Sequence, residues 1–456
     1  MKRRGSVALL LGTLLVAGRV SMGEPFKDGE TVCFVGDSIT HGGHYHEFIA
    51  LYYQTRFPER RIRFVNAGTS GETARGGLAR MPEDVIPFRP TTATIMFGMN
   101  DVNRGAYPLN PAEKNLADQK SALDGYAKNM AELATHLKED AGVQKLIYIT
   151  PSPYDQTVMF TNRSNDRLAC NDGLTRCAEI VRGMAARDKA LLVDFHKPMT
   201  AFNLERQKED PSYTIVGGDR VHPGEPGHLM MAWLFLKDQG ALSIVSRITV
   251  DAETGDAAKS EKATVSNVAK KADGMTFTVL EKSLPYPVHP RAAKIVPYLP
   301  IEAEMNQELL SVSGLAVGTY AVKIDGAEIG RYAASDLAKG VNLGLNEKTP
   351  QSKQAGKALW ANERLWGTKS MLRNLFGSRW WWKNHLKWNV DDMAGIQARY
   401  DALPNKTNDF GAYMMRNYLA NWHRVEDIKK EETVLSSQLF EMCQPVPHAY
   451  EVTRVQ

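Results

Sequence analysis

A chain of 456 residues is long enough for two or three domains and a sizeable core. Its 56 basic and 52 acidic residues nearly balance at a net +4, part of which sits in the first few residues, so the charge makes no case for nucleic acid as a partner. Four cysteines exclude a disulfide scaffold, and with no CxxC and no HExxH neither cysteines nor histidines show a zinc spacing.

Lys2, Arg3 and Arg4 precede an apolar run from Val7 to Ala17, and Ser21-Met22-Gly23 has the small-x-small character of a cleavage site. Residues 1–23 are therefore expected to be a signal peptide and the protein to be exported, to the periplasm or beyond; an uncleaved interfacial anchor is the alternative. No later stretch approaches the roughly 20 apolar residues of a transmembrane helix, so stable membrane insertion is not expected.

Residues 24–245 alternate short apolar runs with helical patterns, which predicts a doubly wound α/β domain with a parallel sheet. The predicted strands are Thr31–Val35, Ile62–Asn66, Thr92–Phe97, Lys145–Thr150 and Leu191–Asp194. Helices are expected at Tyr45–Arg56, Leu116–Asp140, Ala169–Asp188 and Glu225–Gln239, the second with a core face of Leu123, Tyr126, Met130, Leu133 and Leu137. Cys33 reads as a buried small hydrophobe. Cys170 and Cys177 lie about 10 Å apart along a helix, too far for a bridge without a bend.

Beyond Ile244 the texture changes. Asp251–Asp273 is polar and reads as a linker or an exposed edge. Met275–Leu280, Glu308–Val312, Gly318–Ile324 and Ala327–Tyr332, with Asp325-Gly326 as a hairpin turn, predict a small antiparallel β module within 246–345. Residues 346–456 look mostly helical and hold seven of the eight tryptophans, including Trp380-Trp381-Trp382. Those rings suit either packing of the helices onto the β module or stacking on sugars.

The chemistry concentrates in four turns. Val35-Gly36-Asp37-Ser38-Ile39-Thr40 places a serine at the carboxyl end of the first strand, where it serves either as a nucleophile or as part of an Asx turn that caps a helix. A serine alkoxide needs a base, the base an orienting partner, and the tetrahedral oxyanion its donors. Ala67-Gly68-Thr69-Ser70-Gly71-Glu72-Thr73 offers glycine N–H groups free to approach a reacting oxygen. Phe97-Gly98-Met99-Asn100-Asp101 offers the Asn100 amide, and Gly218-Asp219-Arg220-Val221-His222-Pro223 sets an acid three residues before a histidine. Each has a plain structural alternative; their joint occurrence at matching strand ends is the signal.

GDSIT, NAGTSGET, GMND and DRVH, in this order, resemble the four blocks of the SGNH (GDSL-type) hydrolase family over about residues 31–239, and the run Gly77–Pro82 also looks like bacterial esterases of this group. The resemblance implies a flavodoxin-like three-layer domain. It further implies Ser38 as nucleophile, His222 as base and then acid, and Asp219 as its orienting partner, with an oxyanion hole of the Ser38 and Gly71 N–H groups and the Asn100 side chain. Ile39 stands where the family often has Leu, and Met99 where many members have a second small residue.

No cofactor or metal is called for. The expected partner is an acylated small molecule or polysaccharide, and the expected activity carbohydrate O-acetylesterase, as on xylan, pectin, peptidoglycan or sialic acid. The alternatives are a short-chain lipid esterase or lysophospholipase and, in another class, a glycan-binding protein whose hydrolase domain is secondary. His41 and His44 through His46 are candidate lining for a polar pocket.

Overall fold

The computed structural model describes residues 23–161, 167–407 and 409–455. Apart from Gly23, the segment expected to be a signal peptide lies outside them. Five parallel strands, β1 (Thr31–Gly36), β2 (Arg63–Gly68), β3 (Thr92–Met96), β4 (Lys145–Ile149) and β5 (Leu191–Val193), stand in the order β2-β1-β3-β4-β5. Their near-continuous Val, Ile, Phe and Leu content follows from coverage on both faces, and every residue of β3 is buried.

The helices of this half are α1 (Ser38–Gly42), α2 (His44–Arg56), α3 (Ala74–Asp84), α4 (Glu113–Glu139), α5 (Cys170–Asp188), α6 (His196–Gln207) and α7 (Glu225–Asp238). α2 packs on α7, while α3, α4 and α5 pack in succession. The chain runs from β1 outward to β2 and then crosses back over β1 to β3. Right-handed crossovers place the connecting helices on opposite faces of the sheet, and the order reverses between β1 and β3. The loops leaving those two strands diverge there, which opens a crevice at the carboxyl ends. The expected α4 face is present: Tyr126, Met130, Leu133 and Leu137 are buried, with Leu123 partly so.

The second half holds β6 (Ile244–Asp251), β7 (Ala263–Lys271), β8 (Gly274–Glu281), α8 (Ile301–Met305), β9 (Gln307–Ser313), β10 (Thr319–Ile324), β11 (Ala327–Ala333), α9 (Ala334–Lys339) and β12 (Val341–Asn342). It continues with α10 (Pro350–Asn384), α11 (Met393–Asp401), α12 (Phe410–Asn421), α13 (Val425–Met442) and β13 (His448–Val455). One sheet is antiparallel in the order β11-β10-β13-β8-β7; the other, β12-β9-β6, contains the parallel pair β6–β9. Ile248, Leu310, Phe277, Val322 and Val452 from the two sheets share one core.

The polar stretch 251–273 proves to contain the edge strand β7, mostly exposed and ending in Lys270 and Lys271, which blunts the sheet edge. Asp325 and Gly326 both take positive φ, 50° and 80°, as the two-residue hairpin they suggested requires. The chain end is more than a helical tail. β13 returns after α13 and pairs between β10 and β8, at the centre of the antiparallel sheet.

The buried tryptophans pack on the hydrolase half and within the helical region rather than on the β module. Trp366 joins the core of the hydrolase half, and Trp380 and Trp382 are each 5% exposed; Trp360 stands out at 54%. All four cysteines are buried and unpaired. Among the described residues no helix is long and apolar enough to cross a membrane.

Candidate active site

Asp37 follows β1 and caps α1, its carboxylate accepting the Ile39 N–H at 2.9 Å. Burial pushes this carboxyl up to about 6, against the stabilising Ile39 bond. The bend it holds lifts Ser38 out of the sheet, so the turn reading of Gly-Asp-Ser and the exposed-serine reading are both satisfied by one structure. Gly36 and Gly68 lie under this bend. A Cβ on Gly68 would meet the His41 backbone nitrogen at 2.2 Å, so the second block must carry glycine there for α1 to sit on β2.

Ser38 Oγ lies 2.8 Å from His222 Nε2, and His222 Nδ1 lies 2.5 Å from Asp219 Oδ2. Asp219 Oδ1 also accepts the backbone N–H groups of Val221 and His222, at 3.0 and 2.9 Å. Burial alone would raise the Asp219 carboxyl, but the bonds from His222 and Val221 overcome it and hold the group well below the usual carboxylate range. His222 is raised above the usual imidazole value by its bond to Asp219, against partial desolvation. The turn that sets acid and imidazole side by side depends on Arg220 at φ 66°, an unfavourable conformation for a long side chain. Its guanidinium is anchored by donating to the carbonyls of Asp155 and Val158 at 3.1 and 2.7 Å.

The second and third blocks meet at Asp101. Its carboxylate accepts the Ala74 N–H at 2.9 Å and the Gly98 N–H at 3.1 Å, and burial pushes it up to about 7. This joins the NAGTSGET loop to the GMND turn. Asn100 donates from Nδ2 to the Glu72 carbonyl at 2.8 Å, which leaves one amide proton for another acceptor. Gly71 sits at φ 77°, in the left-handed region. Ser38, Gly71, Asn100 and His222 line one cavity of about 540 Å³. The structure thus brings together the residues the four blocks offered. Asp219 stands behind His222.

Several neighbours escaped sequence reasoning. Arg104 lines the cavity and donates to the Met99 carbonyl at 2.7 Å and to Asn100 Oδ1 at 3.3 Å, which sets the direction of the Asn100 amide. The Ser70 N–H donates to His41 Nδ1 at 3.2 Å, so Nε2 carries the proton that His41 donates to Asn374 Oδ1 at 2.8 Å. Burial and the nearby Arg373 charge push His41 down to about 4, keeping it neutral. Asn374 belongs to α10, as does Ser370 on the same wall, and Phe410 and Tyr413 of α12 complete the lining.

Of the other candidate histidines, His44 lines a smaller cavity that also touches Ser38 and His222. His46 is buried, donates to the Thr40 carbonyl and packs against Phe34, Tyr45 and Trp366. It lines neither cavity. Tyr45 is likewise core.

Beneath the loop lies a buried charge cluster that also joins the two halves. Asp84 Oδ2 accepts from Arg80 at 2.8 Å and from Arg373 of α10 at 2.7 Å; Arg80 donates onward to the Gly36 carbonyl and Arg373 to Thr69 Oγ1. Burial would raise Asp84, yet the two guanidinium groups hold it at about 2. Arg80 of the Gly77–Pro82 run is therefore a structural cation directly behind the serine turn.

The GDSL-like lipase/acylhydrolase family model matches residues 34–230. The chain is 31% identical over 234 residues to an acetylxylan esterase of Geobacillus stearothermophilus, covering 48% of this chain and 98% of that protein. It is also 42% identical over 65 residues to the esterase TesA of Pseudomonas aeruginosa, 14% of this chain and 32% of that one. A solved structure of a gut microbial diltiazem-metabolizing enzyme superposes with a TM-score of 0.85 at 32% identity, across 95% of this chain and 99% of that one. Its match extends through the sheets and helices that follow the hydrolase half. Residues 34–230 carry the family's domain, the acetylxylan esterase is matched almost end to end, and the chain belongs to the GDSL-like lipase/acylhydrolase family of esterases, with an additional C-terminal region.

Proposed function

We propose that this protein is an exported serine esterase that removes short acyl groups, acetyl above all, from hydroxyls on ring-shaped alcohols, carbohydrates in the first place. The observation that carries the reading is the 2.8 Å contact of Ser38 Oγ with His222 Nε2, backed by Asp219 and set beside Gly71 and Asn100. Ser38 attacks the ester carbonyl as His222 takes its proton. The oxyanion is held by the N–H groups of Ser38 and Gly71 and the remaining Asn100 amide proton. His222 then protonates the departing alcohol, and water repeats the sequence on the acyl-enzyme. Export rests on the basic start and apolar run of residues 2–17.

Acetyl as the acyl group is supported by the likeness to an acetylxylan esterase, and His41, Ser70, Arg104 and Asn374 place polar groups on the cavity wall. The likeness along the whole chain to a diltiazem-metabolizing enzyme supports a second substrate of the same kind, since diltiazem is itself an acetate ester of a ring alcohol. The test is acetate release from acetylated xylan, pectin, peptidoglycan, sialic acid and diltiazem, beside a p-nitrophenyl ester series. Release from at least one acetylated ring alcohol, with rates falling as the acyl chain lengthens, is expected. A rate that climbs toward long acyl chains with no acetate released would favour a lipid esterase.

Asn100→Ala removes one oxyanion donor and is expected to lower kcat roughly 100–1000-fold with KM little changed. Measurement of both constants on p-nitrophenyl acetate checks it, with the melting temperature as a control for the lost bond to Glu72. The base must be neutral to act, and the Asp219 bond raises His222. The acid limb of kcat/KM should therefore fall at a pH above the usual imidazole value of 6.5. In Asp219→Asn the limb should move to lower pH; an unmoved limb would mean that another group titrates.

A further inference from the structure

We propose that Phe410 and Tyr413 form the subsite for the alcohol half of the ester, and that this subsite takes the flat apolar face of a ring. The inference rests on Ser38 as nucleophile and names what the region after the hydrolase half contributes to that site.

The two aromatics are three residues apart in the first turn of α12, on the same side of the helix. Asp409 starts the helix there by accepting the Ala412 N–H at 2.7 Å. Met414, Met415 and Tyr418 join the helical core and Ala412 is buried, whereas Phe410 and Tyr413 are 57% and 44% exposed. Single exposed apolar residues are ordinary on a surface. These two are adjacent, with ring planes 29° apart and centroids at 6.4 Å, and both border the cavity that holds Ser38 and His222. Together they add aromatic surface to a cavity whose other lining includes Ser38, Asn100, Arg104 and Asn374.

Two cavities meet at Ser38, Gly42 and His222. The smaller, about 220 Å³, is bounded by Pro223, Gly224 and His228 and has room for an acyl group of a few atoms. The larger, about 540 Å³, carries the aromatic wall on one side and Arg104 and Asn100 on another. An ester bound at Ser38 directs its two halves into different spaces, and the larger is the one that carries the aromatic pair. A pyranose and an aryl ring both present a face that stacks on such a wall, with polar substituents left for Arg104. A linear alcohol gains little from it.

The test uses the full chain and the variant F410A/Y413A, both checked by melting temperature. Each is assayed on ethyl acetate, 1-phenylethyl acetate and an acetylated methyl xyloside. The ratio of kcat/KM for a ring acetate over ethyl acetate should fall about tenfold in the variant, and the ring acetate that loses more identifies the ring as sugar or aryl. If the double variant does not fold, Phe410→Leu and Tyr413→Leu keep the apolar bulk without the ring and serve in its place. Titration of the same ring acetates into S38A and S38A/F410A/Y413A reads the subsite without chemistry. Weaker binding to the second, even where wild type hydrolyses nothing, upholds the subsite and overturns only the reaction. Equal binding and equal ratios overturn the subsite. So does a fall confined to the preference of wild type for ethyl acetate over ethyl butyrate, which would assign the wall to the acyl half.

Discussion

Ser38→Ala protein should lose hydrolysis of short acyl esters by a factor on the order of 10⁶ in kcat, with its melting temperature close to wild type. The size follows from how the groups work. Without Oγ no acyl-enzyme forms, and the imidazole of His222 has no proton to take from a positioned nucleophile. What survives is water attack on an ester held by Gly71 and Asn100, a residual rate well above the uncatalysed one. His222→Ala should fall about as far, because a hydroxyl without its base is no nucleophile near neutral pH. The double variant should be scarcely worse than either, since both remove the same step. The structure makes the comparison clean: Ser38 is only partly buried and the His222 side chain is 50% exposed, so neither substitution opens a cavity. Purified Ser38→Ala protein that hydrolyses p-nitrophenyl acetate at the wild-type rate would end the serine mechanism.

The hydrolase half was legible because two local signals coincide there. Apolar runs such as Thr31–Val35 mark doubly covered strands, and the chemistry falls in the turns that follow them. Short-range order carries both. Asp219 and His222 are three residues apart and meet through their own turn, so their pairing is also written locally. The β module was legible as strands but not as a sheet, because the pairing of β13 with β8 and β10 joins residues about 130–175 positions apart and leaves no periodic trace. The same limit hid Arg104, Asn374, Phe410 and Tyr413. Arg104 lies four residues past Asn100 in a turn with no motif of its own. Asn374 reads as one polar residue of a long helix until α10 is laid on α1, where it meets His41 at 2.8 Å across 333 positions. Asp84 and Arg373, 289 positions apart, form an ion pair for the same reason.

That long-range contact sets the second large effect: a chain cut after residue 245 should not yield a soluble, cooperatively folded hydrolase domain. The acetylxylan esterase aligned with this half is matched over 98% of its own length, so the domain type stands without such a continuation in that relative. Here its surface has been given over to the continuation. Eleven of the thirteen residues of α2 are buried, a pattern for a helix covered on all sides, and part of the cover is α10. Tyr286, Ile295, Met305, Leu359 and Trp366 all lie in the core cluster of the hydrolase half. At about 2 kcal/mol for each large apolar side chain removed, the loss is of the same order as the 5–15 kcal/mol that holds a domain together. The cut also takes Arg373 from Asp84 and Asn374 from His41, loosening the Ser70-Gly71 loop in any fragment that did persist. The expected readouts are aggregation on expression, or a non-cooperative melt with esterase activity lost. A soluble fragment that melts cooperatively and hydrolyses p-nitrophenyl acetate at the full-length rate would contradict the dependence.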